Sequence, residues 1–145
     1  MNKCNFCESV EIKERTIVKT KLAFAFPSSM PIVPGHVLVC PNKCISNLES
    51  LTDEEIKETL NLIFKIKKAL KLSFNAEGFN VAYNEGKIAG QSVPHLHFHI
   101  VPRKKNDFGI TDYEPRKFLY RLGSRETTQE KELNTVSNLI RRYFY

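Results

Sequence analysis

Apolar and polar side chains alternate with period two from His95 to Ile100, which predicts a strand carrying Leu96, Phe98 and Ile100 on one face and His95, His97 and His99 on the other. A slip of one residue would bury all three rings, so the alternation sets the register. Shorter runs predict strands near Ile17 to Thr20, Leu22 to Phe26, His36 to Cys40 and Phe79 to Tyr83. Between them the period lengthens to that of a helix. From Asp53 to about Leu72, behind a capping box at Thr52 and Glu55, the residues Ile56, Leu60, Ile63, Phe64, Lys67 and Leu70 recur at helical spacing. A polar stretch from Lys104 to Thr111 follows the histidine strand. A second helix is expected to open at a capping box, Thr127 to Glu130, and to run toward Tyr143 with Leu133, Val136, Leu139 and Ile140 buried. Antiparallel strands with two main helices make an α+β domain. No repeat, low-complexity linker or composition shift divides the chain, so residues 1–145 read as a single domain.

Three of the four histidines occupy the alternating run. Imidazole is a nucleophile, a general acid or base, and a metal ligand, and spacing alone does not choose among these. The flank narrows the choice. Asn84 to Ser92 is a polar loop whose Gly86 and Gly90 let backbone amides approach an anion, and it joins the Phe79 to Tyr83 strand to the histidine strand. A nucleophile beside a phosphate cradle is the chemistry this order suggests.

The alternation His95-Leu96-His97-Phe98-His99-Ile100-Val101, with the segment Pro31 to Pro41 and the loop Asn84 to Ser92, resembles the histidine triad (HIT) family, most closely its fragile-histidine-triad branch of dinucleoside polyphosphate hydrolases. The resemblance covers nearly the whole chain and implies the following roles. His97 is the nucleophile that attacks the α-phosphorus and becomes nucleotidylated. His99 donates to a phosphate oxygen, and Gln91 and Ser92, with Asn84 and Gly90 in the same loop, hold the bridging or leaving oxygens. A backbone carbonyl holds the second nitrogen of His97, and His36 supports the triad by a hydrogen bond. Ser28 stands where the branch usually carries Asn or Asp against the ribose, and the base packs among residues such as Phe6, Phe24 and Ile32. Magnesium would accompany the polyphosphate, and no metal is needed at phosphorus. The family pairs through the long helix and its neighbouring strand into one dimer sheet, which implies a homodimer.

Cysteine usage adds a second signal, with Cys4 and Cys7 in a Cys-x-x-Cys pair and Cys40 and Cys44 further on. No apolar run follows the N-terminal charges, so neither a signal peptide nor a membrane segment is read, and a reducing, cytoplasmic compartment is expected. There the pair reads as a metal knuckle or a redox motif. Redox pairs open a helix behind a strand and none precedes residue 4, so zinc is favoured. Similar HIT proteins close a zinc site with two N-terminal cysteines, a later histidine and the first triad histidine. Here Cys44 stands in place of that later histidine, which implies a closed, structural set of Cys4, Cys7, Cys44 and His95. Cys40 is expected to be a buried thiol.

With 145 residues and 41% hydrophobic content the chain can bury an ordinary core. Its net charge of +6 would suit nucleic acid, but the basic residues are scattered and make no recognised binding motif. Arg103, Lys104 and Lys105, just past the triad, are candidates for the distal phosphates. The aromatic end, Arg142 to Tyr145, is expected to dock on a partner subunit or near the active site. Within the family, a phosphorylase, a nucleotidyltransferase or a nucleoside phosphoramidate hydrolase remains open. From another class, a zinc-stabilised nucleic-acid-binding module accounts for the charge and the cysteines but leaves the His97 face without a purpose.

Overall fold

The computed structural model describes residues 4–107 and 127–144. Part of the polar stretch after the triad, 108–111, and Tyr145 lie outside these described residues. Five antiparallel strands form one sheet: β1 (Val18–Lys19), β2 (Ala23–Pro27), β3 (Val37–Pro41), β4 (Gly78–Ala82) and β5 (Phe98–Arg103), in the spatial order β1-β2-β3-β5-β4. Among the described residues four α-helices accompany it: α1 (Asn5–Glu8), α2 (Val10–Arg15), α3 (Asp53–Ser73) and α4 (Glu130–Arg141). No helix among the described residues is long and apolar enough to cross a membrane.

Every residue of β2 and β3 is buried, because both faces of the sheet centre are covered. One face presents Ala23, Ala25, Val37, Val39 and Ile100, small or branched side chains on which α3 lays Leu62, Ile63, Ile66, Ala69 and Leu70 and α4 lays Ile140. The other face presents Phe24, Phe26, Leu38 and Cys40, covered by Phe6 of α1 and Ile12 of α2. Pairing of Leu38 with His99 puts the triad on this second face, under the N-terminal helices.

The capping box of the long helix forms in full: the Thr52 hydroxyl accepts from the Glu55 amide and the Glu55 carboxylate from the Thr52 amide. Its buried stripe keeps the expected Ile63 and Leu70 but is otherwise rotated from that expected. Thr59, Leu62, Ile63, Ile66, Ala69 and Leu70 face the sheet, whereas Leu60 and Phe64 stay exposed. The helix carries two overlapping apolar stripes, and the small Ala69 selects which of them can approach the sheet closely.

Three further expectations are corrected. The C-terminal helix has Gln129 as its N-cap and no side-chain cap, since Glu130 pairs at 2.6 Å with the buried Arg15 of α2. A tertiary ion pair thus displaces the local box. The helix ends at Arg141, and Phe144 packs on the helix-side core of its own chain. Arg103, the last residue of β5, grips both oxygens of Asp107 at 2.8 and 2.9 Å and reaches Asn80. It stands roughly 20 Å along the strand from His97, with its guanidinium engaged by Asp107 and Asn80. The two N-terminal helices were not anticipated; Ser9 opens α2 by accepting the Ile12 amide.

The Arg103 guanidinium holds the Asp107 carboxyl at about 2, below its ordinary 3.8. A depressed carboxylate stabilises the fold above its unfolded pKa and loses that contribution as pH falls through the folded one. Urea midpoints should therefore drop more steeply in wild type than in Asp107→Asn between pH 3.8 and about 2. Parallel curves for the two proteins would remove the pair from the acid response.

Candidate active site

β5 begins only at Phe98, so His95, Leu96 and His97 lie before the ladder, held by the Leu96 amide donating to the Ile45 carbonyl at 2.7 Å. The alternation persists regardless. The rings of His97 and His99 lie 5.1 Å apart, and Phe6 touches both His95 and His97. Burial, however, does not separate the two faces: His95 and His97 are as enclosed as Leu96.

Backbone groups dictate the tautomers of His97 and His36, and His36 in turn sets that of His99. The carbonyl of His95 lies 2.8 Å from His97 Nδ1 and can only accept, so Nδ1 carries the hydrogen and Nε2 keeps its lone pair. Burial pushes the His97 pKa below the ordinary histidine value, which keeps that lone pair available. His36 works in the opposite sense. Its Nδ1 accepts the Ile32 amide at 3.0 Å, so its Nε2 carries the hydrogen and donates to His99 Nδ1 at 3.0 Å. His99 is thereby left with its hydrogen on Nε2. A bare Nε2 on His97 thus lies beside an Nε2–H on His99, and the carbonyl acceptor and the His36 hydrogen bond expected from the sequence are both present.

The loop between β4 and β5 turns at Gly86 and Gly90, whose φ of 87° and 95° suit glycine alone. Gln91 staples it: its Oε1 accepts the Gly86 amide at 2.9 Å and its Nε2 donates to the Ser46 carbonyl at 3.0 Å. Asn84 reaches the Gly90 carbonyl, and Ser92 is exposed beside the triad. The loop thus sits rigidly before His97, with the Gln91 amide engaged in holding it. Ser28 is buried, accepts the Met30 amide, and lines with His36, Ile32 and Leu133 a cavity of about 120 Å³. Phe6, Phe24 and Ile32 are all buried, the first two in the core around Phe26, so they act as packing residues.

A second cluster lies behind His95. Ligand atoms of Cys4, Cys7, Cys44 and His95 all fall within 4.8 Å of one another. His95 Nε2 donates to the Pro41 carbonyl at 2.7 Å, which leaves Nδ1 bare and aimed at Cys4 Sγ, 3.2 Å away, and Cys7 Sγ, 3.5 Å away. A metal-binding histidine is held in this way, its far nitrogen bonded to a fixed acceptor. Lost hydration and the neighbouring thiols push Cys44 up to about 12 and raise Cys7, while thiol hydrogen bonds outweigh burial to lower Cys4. The crowded thiols oppose one another's ionisation, and a cation of charge two or more would favour it. The donor set therefore fits a metal ion. Cys4 is the N-cap of the short helix α1, so the pair opens a helix, and the convergence of Cys44 and His95 on it is what marks a metal cluster. Cys40 is buried as expected.

Comparison with known proteins agrees with this geometry. Residues 9–106 match the HIT domain model. The chain is 39% identical over 101 residues to an asymmetrical bis(5'-nucleosyl)-tetraphosphatase of Schizosaccharomyces pombe, covering 70% of this chain and 56% of the relative. It is 42% identical over 93 residues to a bis(5'-adenosyl)-triphosphatase of Dictyostelium discoideum, covering 64% and 62%. The chain thus spans little more than half the length of these relatives. A Hit-like protein of Bartonella henselae superposes with a TM-score of 0.73 at 29% identity, covering 90% of this chain and 86% of that one.

Sequence reading missed three acceptors that organise the site, the carbonyls of Ile45, Ser46 and Pro41, since a backbone group carries no signal in the residue that bears it. If His36 holds the site as described, His36→Ala strands the buried Ile32 amide and costs about 1–3 kcal/mol. Urea unfolding measures this, and an unchanged midpoint would remove His36 from the framework.

Proposed function

The chain belongs to the HIT family, and from that premise we propose that it hydrolyses dinucleoside polyphosphates, such as diadenosine tetraphosphate or triphosphate, through a covalent His97-nucleotidyl intermediate. The observation that carries this reading is the opposed setting of two adjacent rings, with the Nε2 lone pair on His97 and the Nε2 hydrogen on His99. The named activities of the fission yeast and slime mould relatives support the substrate class.

In the first step His97 Nε2 attacks the α-phosphorus, the P–N bond forms, and the bridging P–O bond breaks with its electron pair on the departing polyphosphate. His99 Nε2–H donates a hydrogen bond to the departing oxygen, which leaves as the polyphosphate anion. In the second step water attacks the same phosphorus, the P–N bond breaks with its pair returning to Nε2, and the proton lost by the water passes to solvent. Dividing the substitution in two lowers each barrier. Asn84, Gly90 and Ser92 would face the phosphates, with Gln91 holding their loop in place. Ser28 would meet the ribose; its single short-reaching oxygen bonds one hydroxyl well, where the two polar atoms of Asn or Asp reach both, so ribose recognition is weaker.

The Cys3His set would hold zinc, whose thiolate and imidazole preference matches these donors. Zinc would cross-link the N-terminal segment to the sheet. The set is the one cluster of three or more ligating side chains among the described residues, so magnesium would arrive on the polyphosphate. Free cysteines throughout suit a reducing, cytoplasmic setting. A homodimer is supported by the exposed stripe of α3, with Leu60 43% and Phe64 59% exposed, beside the edge strand β4 with Val81 48% exposed. Lys67 of α3 lies over the Phe79 ring of β4, so helix stripe and strand edge form one surface.

Wild type incubated with diadenosine tetraphosphate should yield AMP and ATP on chromatography, and His97→Ala should yield neither. ADP with ATP appearing only when phosphate is added would move the assignment to a phosphorylase. A separate check concerns assembly: wild type should elute as a dimer under light scattering and Phe64→Glu as a monomer. A dimeric variant would place the interface elsewhere.

A further inference from the structure

Phe6 sits between the two ligands Cys4 and Cys7, in a helix of four residues whose N-cap has no side-chain bond. A helix that short has no stability of its own, so its place depends on what its side chains are tied to. Two of those ties are the cluster thiols. The third is Phe6, only 8% exposed, which meets the His97 ring edge-on at 5.1 Å and 78° and packs against Phe26 on its other side. On the opposite side of the cluster stands His95, whose ring is a member of the set and whose carbonyl holds His97 Nδ1. Both constraints on the nucleophile, the wall against its ring and the acceptor of its hydrogen, are thus carried by residues at the cluster.

We propose that the Cys3His cluster is a clamp on the nucleophile: when metal is bound, Phe6 and the His95 carbonyl act as positioning groups for His97, and metal occupancy sets the rate of nucleotidyl transfer. The inference rests on the hydrolase reading above for its kinetic consequence, but its structural content stands without it. A ring free to tilt or to exchange tautomers presents the attacking lone pair in line for only part of the time, and misplacement by about 1 Å costs on the order of a hundredfold in rate. Phe6 does not touch the reacting atoms, so its removal should act on kcat.

The test compares wild type, wild type stripped with a chelator and then resupplied with zinc sulfate, and Phe6→Leu. Zinc content, kinetics on diadenosine tetraphosphate and the ring ¹⁵N shifts of His97 are measured on each, with the Leu62 and Ile100 amides reporting whether the sheet is intact. Phe6→Leu should keep its zinc, lower kcat about tenfold or more and leave KM within about twofold. Its His97 ¹⁵N shifts should move from those of a single Nδ1–H form toward a tautomer mixture. Stripping should move the same shifts with the sheet amides in place, and zinc should restore them. Should stripping unfold the sheet, the zinc-loaded Phe6→Leu protein decides. Wild-type His97 shifts in that variant, or in stripped protein with an intact sheet, would overturn the clamp. If wild type leaves the dinucleotide uncleaved, the hydrolase reading falls and the ¹⁵N comparison alone judges the clamp.

Discussion

The hydrogen bond from His97 Nδ1 to the carbonyl of His95 joins two parts of the molecule that would otherwise be independent. Imidazole has two nitrogens of nearly equal basicity, and nothing in the side chain itself says which will carry the hydrogen. A carbonyl two residues back removes the choice, because it can accept and never donate. The acceptor belongs to a residue whose own ring is pinned, through Nε2, to the Pro41 carbonyl at the end of β3. One hold on the His97 ring is thus inherited from the sheet. What remains variable is the N-terminal segment, which reaches the same histidine only through cluster sulfurs and the Phe6 ring.

The sheet can serve in this way because its two faces have different work. Ala23 and Ala25 on one side let α3 come close, and the branched residues of β3 and β5 fill the gap. The opposite side is wide and aromatic, with Phe24 and Phe26 stacked at 5.7 Å and Phe6 set edge-on to Phe26. Histidine rings embedded in such a layer lose hydration, and His95 and His97 both fall below the ordinary pKa as a result. Neutral imidazole is the form that both proposed roles require, metal ligand for one and nucleophile for the other. A solvated histidine face would hold that form less firmly near neutral pH.

Much of this was legible in the chain. Strand positions, the Thr52 capping box, the turns at Gly86 and Gly90 and the convergence of Cys4, Cys7, Cys44 and His95 all follow from residue types whose local chemistry is strong. What failed did so for identifiable reasons. Helices of four and six residues are too short to show a period, so α1 and α2 left no trace beyond Ser9. The long helix has two apolar stripes, and hydrophobicity alone cannot say which meets its own sheet. Glu130 looked like half of a capping box because its distant partner Arg15 is invisible to any local pattern. Arg103 lies just past the triad in the chain, yet β5 carries it to the far end of the sheet, where Asp107 takes up its fork.

The position of Arg103 bears on how a polyanion would be handled. With net charge +6 the chain would attract such substrates from a distance, and the groups proposed here to meet them at His97 are uncharged ones: imidazoles, an amide, a hydroxyl and the backbone of a glycine loop. Fixed cations at the phosphates would stabilise the bound substrate and the transition state alike, and binding that is equal in both does nothing for the chemical step. Neutral donors held in place respond differently. Their hydrogen bonds strengthen as negative charge gathers on the departing oxygen, and being already oriented they need no reorganisation at that moment. A rigid loop stapled by Gln91 and a His99 ring whose hydrogen is set by His36 are of this kind. The same choice favours release, since a polyphosphate product held by neutral groups leaves more readily than one held by paired arginines. In the proposed reaction, long-range attraction by scattered lysines and short-range recognition by uncharged dipoles would thus divide capture from chemistry.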